Sequence, residues 1–227
     1  MDLEHARFNM IEQQIRPWDV LDPELLELLT VVKREAFVPL AYRSMAFVDA
    51  EIPLPGGQNM LQPKFEARIL QELMIRKHEQ VLEIGTGSGY MAALMAFRAR
   101  AVTSVEILPE LVAMARANLV DYGIDNVDVE LGDGIRGWPA PDNKARGIAA
   151  RQAYDVIVLS GSVPVLPQQL MQQLKVGGRM FAVTGEMPAM SAQVVTRMSD
   201  AGFNIVKRFE TVIVPLQNTV HPSRFVF

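Results

Sequence analysis

The sequence contains no cysteine, and only three of its 227 residues are histidine. Without cysteine the chain has no disulfide, no thiolate nucleophile and no cysteine-bound metal. The histidines His5, His78 and His221 lie far apart and form no metal-ligand spacing such as HExxH. The sequence therefore gives no support for thiol chemistry or for a metal site.

Long apolar runs and a strong charge imbalance are also missing. No stretch approaches the roughly 18 apolar residues that a membrane-spanning helix needs, and the N-terminus carries early acids instead of a signal-type apolar run. The 22 Lys and Arg stand against 26 Asp and Glu, a formal net charge of −4. This charge gives no general attraction to nucleic acid or anionic membrane. We expect a soluble, cytoplasmic protein that binds neither.

From residue 80 onward, short apolar strands alternate with helices. The strands are expected at 80–84, 102–107, 127–131, 155–159 and 178–183, and the helices at 91–97, 109–120 and 166–174. This alternation predicts an α/β fold with a doubly wound, mostly parallel sheet that is covered on both faces. The later segments 203–205, 211–214 and 224–227 are strand-rich and predict an antiparallel C-terminal edge.

The first 75 residues have a different pattern. Helical spacing extends over much of residues 1–50 and again over 65–73, and the intervening segment 52–63 is rich in Pro and Gly and predicts a loop. We predict a single domain over 1–227, in which an N-terminal helical extension, 1–75, carries a substrate loop and 76–227 forms the sheet. The polar stretch 139–153 is interpreted as a solvated surface loop.

A glycine cluster follows the first strand of the predicted sheet, where Gly85, Gly87 and Gly89 lead into a helix. Glycine tolerates positive φ and lets a ligand approach the backbone closely. A dinucleotide-binding fold has the spacing G-x-G-x-x-G, whereas here the third glycine comes one residue earlier, which disfavours a nicotinamide oxidoreductase. Glu83 lies two residues before Gly85, the first glycine of the cluster. The resulting pattern E-x-G-x-G-x-G resembles motif I of S-adenosylmethionine (SAM) methyltransferases.

Two further acids follow the next two predicted strands. Glu106 ends the second strand, where a carboxylate can accept hydrogen bonds from both ribose hydroxyls of a nucleoside. Asp133 follows the third strand, where methyltransferases commonly have an acid that accepts from the adenine amino group. Each acid alone is an ordinary strand-end or turn residue. Because carboxyl ends of parallel strands meet at one edge, the three acids and the glycines together predict a SAM site.

The motifs resemble one family over nearly the full chain, the protein-L-isoaspartate O-methyltransferases. The matching segments are MIEQQI at 10–15, REAFVP at 34–39, VLEIGTGSGY at 81–90, GDG at 132–134, YDVI at 154–157, QLKVGGR at 173–179, VPL at 214–216 and SRF at 223–225. The resemblance implies a Rossmann-like methyltransferase fold, with SAM as methyl donor and S-adenosyl-L-homocysteine as product. The implied cofactor-binding residues are Glu83, Gly85, Thr86, Gly87, Ser88, Gly89, Glu106, Ile107, Asp133 and Gly134.

The resemblance also implies a reaction and a substrate, an isoaspartyl residue in a damaged peptide or protein. Its α-carboxyl group is methylated, the ester cyclises to a succinimide, and hydrolysis returns some normal aspartate. A carboxylate is already ionised at neutral pH. The enzyme therefore needs no strong base, and must align the oxygen with the methyl group and exclude water.

The segment 57–63 departs from the family pattern. Members typically have G-Q-T-I-S-Q-P, and here the segment reads GQNMLQP. Asn59 replaces the threonine, and Leu61, which has no hydrogen-bonding group, replaces the serine that the family treats as catalytic. We expect Gln58, Asn59 and Leu61 on the substrate side, with Asn59 as an amide donor to the acceptor carboxylate. Hydroxyls of Ser160 and Ser162 would face the same side, unless they belong to a plain strand-end turn.

This departure leaves alternatives open. Beside isoaspartyl methylation, the sequence allows a SAM-dependent methyltransferase of another acceptor, or a SAM-binding protein without isoaspartyl activity because Leu61 replaces the family's serine. An N6-adenine methyltransferase is disfavoured, because 159–162 reads LSGS instead of an Asn/Asp-Pro-Pro-aromatic tetrad. The sequence leaves the oligomeric state open.

Overall fold

The computed structural model describes residues 2–139 and 154–220. Its N-terminal part is helical, as expected. Helix α1, Leu3–Met10, continues into a π turn and a 3-10 turn, and α2 spans Pro23–Val31. The side chain of Asp22 accepts a hydrogen bond from the backbone of Glu24, so an aspartate cap followed by proline begins α2.

The segment predicted to be a loop contains a small hairpin. Strands β1, Ile52–Leu54, and β2, Gln58–Met60, pair antiparallel around a short 3-10 turn. Helix α3, Pro63–Leu73, follows directly and buries one face against the sheet. The hairpin therefore projects from a firmly packed helix and positions residues 58–61.

The central sheet has seven strands among the described residues. They are β3 Gln80–Ile84, β4 Ala101–Glu106, β5 Val127–Leu131, β6 Tyr154–Val163, β7 Leu174–Glu186, β8 Ala189–Arg197 and β9 Phe203–Glu210. Their order is β5-β4-β3-β6-β7-β8-β9. The first five in this order are parallel, and β8 and β9 are added antiparallel. This confirms the predicted α/β class and its antiparallel C-terminal edge.

Helices α4 Tyr90–Ala96, α5 Pro109–Asp121 and α6 Gln168–Gln173 complete the sheet-covering layers. Alternate residues of the central strands pack into two separate apolar clusters. Val81 and Val158 belong to one cluster, and Leu82 and Ile157 to the other. Both faces of the sheet are therefore covered. Strand order reverses between β3 and β6, and ligands bind at such a switch point in open α/β sheets.

Several predicted boundaries were wrong. The helix expected at 166–174 is only Gln168–Gln173, and the strand expected at 178–183 extends over Leu174–Glu186. Strand β8 was missed. Its pairing with β7 stabilises it, although Ala, Ser and Gln occupy four of its first five positions. Residues 211–214 form no strand, although Pro215 makes an isolated bridge to Ser162. Residues 224–227 and 140–153 lie outside the described residues.

No helix in the described parts of the chain is long and apolar enough to cross a membrane.

Candidate active site

An open cleft lies at the carboxyl ends of strands β3 to β6. Its open space, counted together with the solvent at its mouth, is about 930 Å³. On one side the lining includes Glu83, Gly85, Thr86, Gly87, Ser88, Glu106, Ile107, Asp133 and Gly134, and on the other Gln58, Asn59, Leu61 and Ser160. The structure thus brings nearly all the predicted site residues to one cleft. Gly89 and Ser162 lie outside this lining.

The glycine loop fits close contact with a ligand. Gly85 and Gly87 have φ values of 93° and 54°, which disfavour any residue with a side chain. Gly89 serves the fold instead: a Cβ atom there would lie 3.3 Å from the Cα of Ala115 on α5. The prediction that Gly89 touches the cofactor is therefore replaced by a role in packing α4 against α5.

Glu106 binds four backbone amides at the end of β4. One oxygen accepts from Thr86 and Gly87 at 3.1 and 3.0 Å, and the other accepts from Ile107 and Leu108 at 2.8 and 3.0 Å. The side chain is almost fully buried, yet it still lines the cleft. One carboxylate therefore fixes both the glycine loop and the turn after β4.

Glu83 is fully buried on the floor of the cleft, between two serines. Its Oε2 accepts from the Ser104 hydroxyl at 2.5 Å, and its Oε1 accepts from the Ser160 hydroxyl at 2.9 Å. The Ser104 hydroxyl also lies 2.6 Å from that of Thr86, so the network reaches the glycine loop. Burial raises the pKa of Glu83 to about 8, because desolvation outweighs the two serine hydrogen bonds.

The raised pKa of Glu83 makes folding stability depend on pH. The folded state keeps a proton that the unfolded state loses near its ordinary pKa of 4.5. The stabilisation is therefore complete below that value and is lost as pH rises through about 8. We expect the unfolding free energy of the wild type, relative to Glu83→Gln, to fall between about pH 5 and about pH 8. Denaturant unfolding of both proteins measures this difference, and an unchanged difference would contradict it.

The opposite side of the cleft is formed by the β1–β2 hairpin. Asn59 donates from Nδ2 to Oε2 of Glu51 at 3.0 Å, and Gln58 bonds back to the Gly56 carbonyl at 3.4 Å. Leu61 is buried, and its carbonyl accepts from Arg34 at 2.6 Å. The structure thus adds Glu51 to the lining, which sequence reasoning missed. In the sequence, Glu51 is a single acid before a proline-rich segment, and no motif around it indicates a site residue.

A buried ion pair supports this hairpin. The guanidinium of Arg34 is fully buried, pairs with Glu66 on α3 and donates to the Ala46 carbonyl at 3.0 Å. It also lies 5.1 Å from the ring centre of Tyr90. Burial raises the pKa of Glu66 to about 7, against the lowering effect of Arg34. Glu66 lines the cleft as well and was likewise missed, because its partner is distant in sequence.

The two serines after β6 have different surroundings. Ser160 is half-buried and lines the cleft, with its hydroxyl on Glu83. Ser162 is buried, and its hydroxyl donates to the Ile213 carbonyl at 3.1 Å, so it does not face the substrate side as expected. Backbone bonds from residue 162 to Val214 and Leu216 hold the C-terminal segment, whose residues 214–217 form another wall of the cleft.

The charge of the cleft suits SAM. Five acids line it, and among the described lining residues there is no Lys, Arg or His. SAM carries a sulfonium and an ammonium group, which the ionised carboxylates among these acids attract, while Glu83, with a pKa of about 8, is largely protonated at neutral pH. Asp133 lies at the third strand end as predicted, and its carboxylate accepts from the Ile135 amide and from the side chain of Asn218. The sheet order, the glycine loop and these acids together define a SAM-dependent methyltransferase.

Comparisons with known proteins narrow the class. The family model Protein-L-isoaspartate(D-aspartate) O-methyltransferase matches residues 6–221. A protein-L-isoaspartate O-methyltransferase of Rhodopseudomonas palustris is 38% identical over 208 residues, covering 91% of each chain. One from Marinobacter nauticus, numbered 2, is 37% identical over 218 residues, covering 95% of this chain and 94% of the relative. The chain therefore belongs to the protein-L-isoaspartate O-methyltransferase family.

Solved structures agree with this membership. A protein-L-isoaspartate O-methyltransferase superposes with a TM-score of 0.76 at 25% identity, covering 95% of this chain and 67% of that one. A Plasmodium falciparum structure titled as such an enzyme, in complex with S-adenosyl-L-homocysteine, has a TM-score of 0.79. It is 16% identical, with 96% of this chain and 100% of that one covered. This second likeness supports the fold.

Proposed function

We propose that this protein methylates the α-carboxyl group of isoaspartyl residues in damaged peptides and proteins. The observation that carries the proposal is the extent of the family match. It spans residues 6–221 and so includes the glycine loop, the hairpin and the C-terminal segment that together line the cleft. The matched range thus includes the segments of the acceptor side as well as those of the cofactor side, although Asn59 and Leu61 replace the family's threonine and serine there.

Methylation of a carboxylate needs no strong general acid or base. When bound, SAM supplies an electrophilic methyl group. The acceptor carboxylate is already ionised, so the chain's own residues have to hold it and keep water away. The Asn59 amide is the polar donor on the hairpin, in the place of the family's threonine. Leu61 and Leu216 give this side apolar walls, and an apolar wall excludes the water that would solvate the carboxylate.

An assay with methyl-labelled SAM and two peptides tests the proposal. One peptide contains an isoaspartyl residue, and its twin contains aspartate at the same position. We expect base-labile label on the isoaspartyl peptide alone. Label on neither peptide, with SAM binding confirmed in the same sample, would contradict the proposal. The alternatives of another acceptor or of SAM binding without transfer would then replace it.

Replacement of Asn59 tests the acceptor side. We expect Asn59→Ala to lower kcat/KM for the isoaspartyl peptide about tenfold, the size of one lost hydrogen bond to a charged group. SAM affinity should stay unchanged, because the glycine loop and Glu106 are untouched. Leu61→Ser is a comparison variant, since it restores the family's hydroxyl two residues away and leaves the Asn59 amide in place, so its kcat/KM separates the contribution of a hydroxyl from that of the amide. Unchanged turnover of Asn59→Ala would reject the assigned role.

We further propose that residues 1–227 form one domain, in which the first 75 residues complete the acceptor side of the cleft. We also propose that the reaction serves protein repair and, as a last point, that the protein works in the cytoplasm. The packing of α3 and of Arg34 beneath the hairpin supports the first point. Cell fractionation with a tagged protein tests the last.

A further inference from the structure

Asn59 alone is an ambiguous recognition group. A carboxamide has a carbonyl oxygen, which accepts hydrogen bonds, and an amide nitrogen, which donates two. Only the nitrogen can favour an acceptor carboxylate, and the oxygen would repel it. A threonine hydroxyl has no such problem, because its proton rotates to suit the ligand. A side chain that fixes the orientation of the Asn59 amide would therefore matter for the reaction.

Glu51 meets this requirement. It lies directly before β1, two residues before Pro53, the residue that pairs with Asn59 on β2, and its Oε2 is 3.0 Å from Asn59 Nδ2. A carboxylate only accepts hydrogen bonds, so the amide must turn its nitrogen toward Glu51. One N–H is used in this bond, and the second stays available to a ligand. Both side chains are half-buried and line the cleft.

We propose that Glu51 is a positioning residue, which orients the Asn59 carboxamide so that an amide N–H meets the acceptor carboxylate. The proposal rests on the proposed function, because it presumes a carboxylate acceptor. The negative charge of Glu51 acts in the opposite direction, since it repels the same carboxylate. A lower kcat/KM after Glu51 is replaced would show that its orienting effect on Asn59 is the larger one. An equal or higher kcat/KM would show that its repulsion of the acceptor carboxylate is.

A double-mutant cycle with the isoaspartyl peptide provides the test. We expect Glu51→Ala to lower kcat/KM about fivefold, because the unheld Asn59 side chain then samples other χ1 rotamers as well as both amide orientations, and only the fraction in the productive arrangement binds the acceptor. In the Asn59→Ala background the same change should have no effect. Glu51→Gln should recover only part of the loss, because its amide oxygen can still accept from Asn59, whereas its NH₂ group can also donate to the Asn59 oxygen in the reversed orientation. SAM affinity and melting temperature should match the wild type in all these variants.

Glu110→Ala is the matched control. This exposed acid lies near the hairpin turn, with its Oε1 3.2 Å from where a Cβ of Gly56 would be, and it does not line the cleft. It removes the same charge without touching Asn59. Equal or higher kcat/KM in Glu51→Ala would overturn the proposal in favour of repulsion. An equal loss in the Asn59→Ala background would also overturn it. A wild type without isoaspartyl activity is a distinct result, and it would reject the proposed function together with this inference.

Discussion

Glu106→Ala is expected to weaken SAM binding about 100-fold. The carboxylate holds four backbone amides, two of them in the glycine loop and two in the turn after β4. A hydrogen bond to a charged group contributes about 1.5–3 kcal/mol. Without the two bonds to the loop, SAM binding has to order the loop itself, which costs up to about 3 kcal/mol of binding energy, or about 100-fold in affinity. Isothermal titration with SAM measures the change directly.

Glu106→Gln refines this prediction. Its amide oxygen can still accept from one pair of backbone amides, while its NH₂ group faces the other pair, donor to donor. We expect an affinity loss of similar size with the fold retained, which circular dichroism would check. SAM affinity within about twofold of the wild type in both variants would show that the strand-end carboxylate does not organise the site.

Arg34→Met is expected to lower the free energy of unfolding by about 3–5 kcal/mol. The change leaves the carboxylate of Glu66 buried without its counter-ion, and it frees the carbonyls of Ala46 and Leu61 from their donor. The buried Glu66 then either stays charged without a counter-ion or takes up a proton, and this cost is the main reason for the size of the loss. Urea-induced unfolding followed by circular dichroism gives the value.

Two comparison variants identify the cause. The double variant Arg34→Met/Glu66→Leu removes both charges and should recover a large part of the loss. Arg16→Met breaks an exposed pair with Glu12 and should cost less than about 1 kcal/mol. A loss in Arg34→Met as small as that in Arg16→Met would show that the buried pair does not support the hairpin.

Much of the cofactor side follows from sequence because it depends on local rules. Apolar runs ended by turn signals predicted the parallel strands, and acids at strand ends share one edge by topology. The structure accordingly places Glu83, Glu106 and Asp133 on one cleft. The glycine spacing disfavoured a nicotinamide oxidoreductase for a similarly local reason. The antiparallel edge was also predicted. Of its two strands, β9 was expected from the sequence and β8 was missed.

The acceptor side follows from sequence less well, because its contacts join distant segments. Glu66 is buried by an arginine 32 residues away, and Glu51 faces Asn59 only because the segment expected to be a loop forms a hairpin. Ser160 and Ser162 look equivalent in sequence, yet one hydroxyl reaches Glu83 and the other the backbone of Ile213. Which side chains form these hydrogen bonds depends on which segments of the chain the fold brings side by side.

The most direct test of the account is recovery of normal aspartate from an isoaspartyl peptide. The purified protein is incubated with the peptide and excess SAM, and the isoaspartyl, succinimide and aspartyl forms are separated by chromatography. The account predicts that the isoaspartyl form declines, that succinimide and aspartyl forms appear, and that Asn59→Ala slows the conversion about tenfold. If the isoaspartyl peptide stays unchanged in the presence of SAM and the wild-type protein, the account is contradicted.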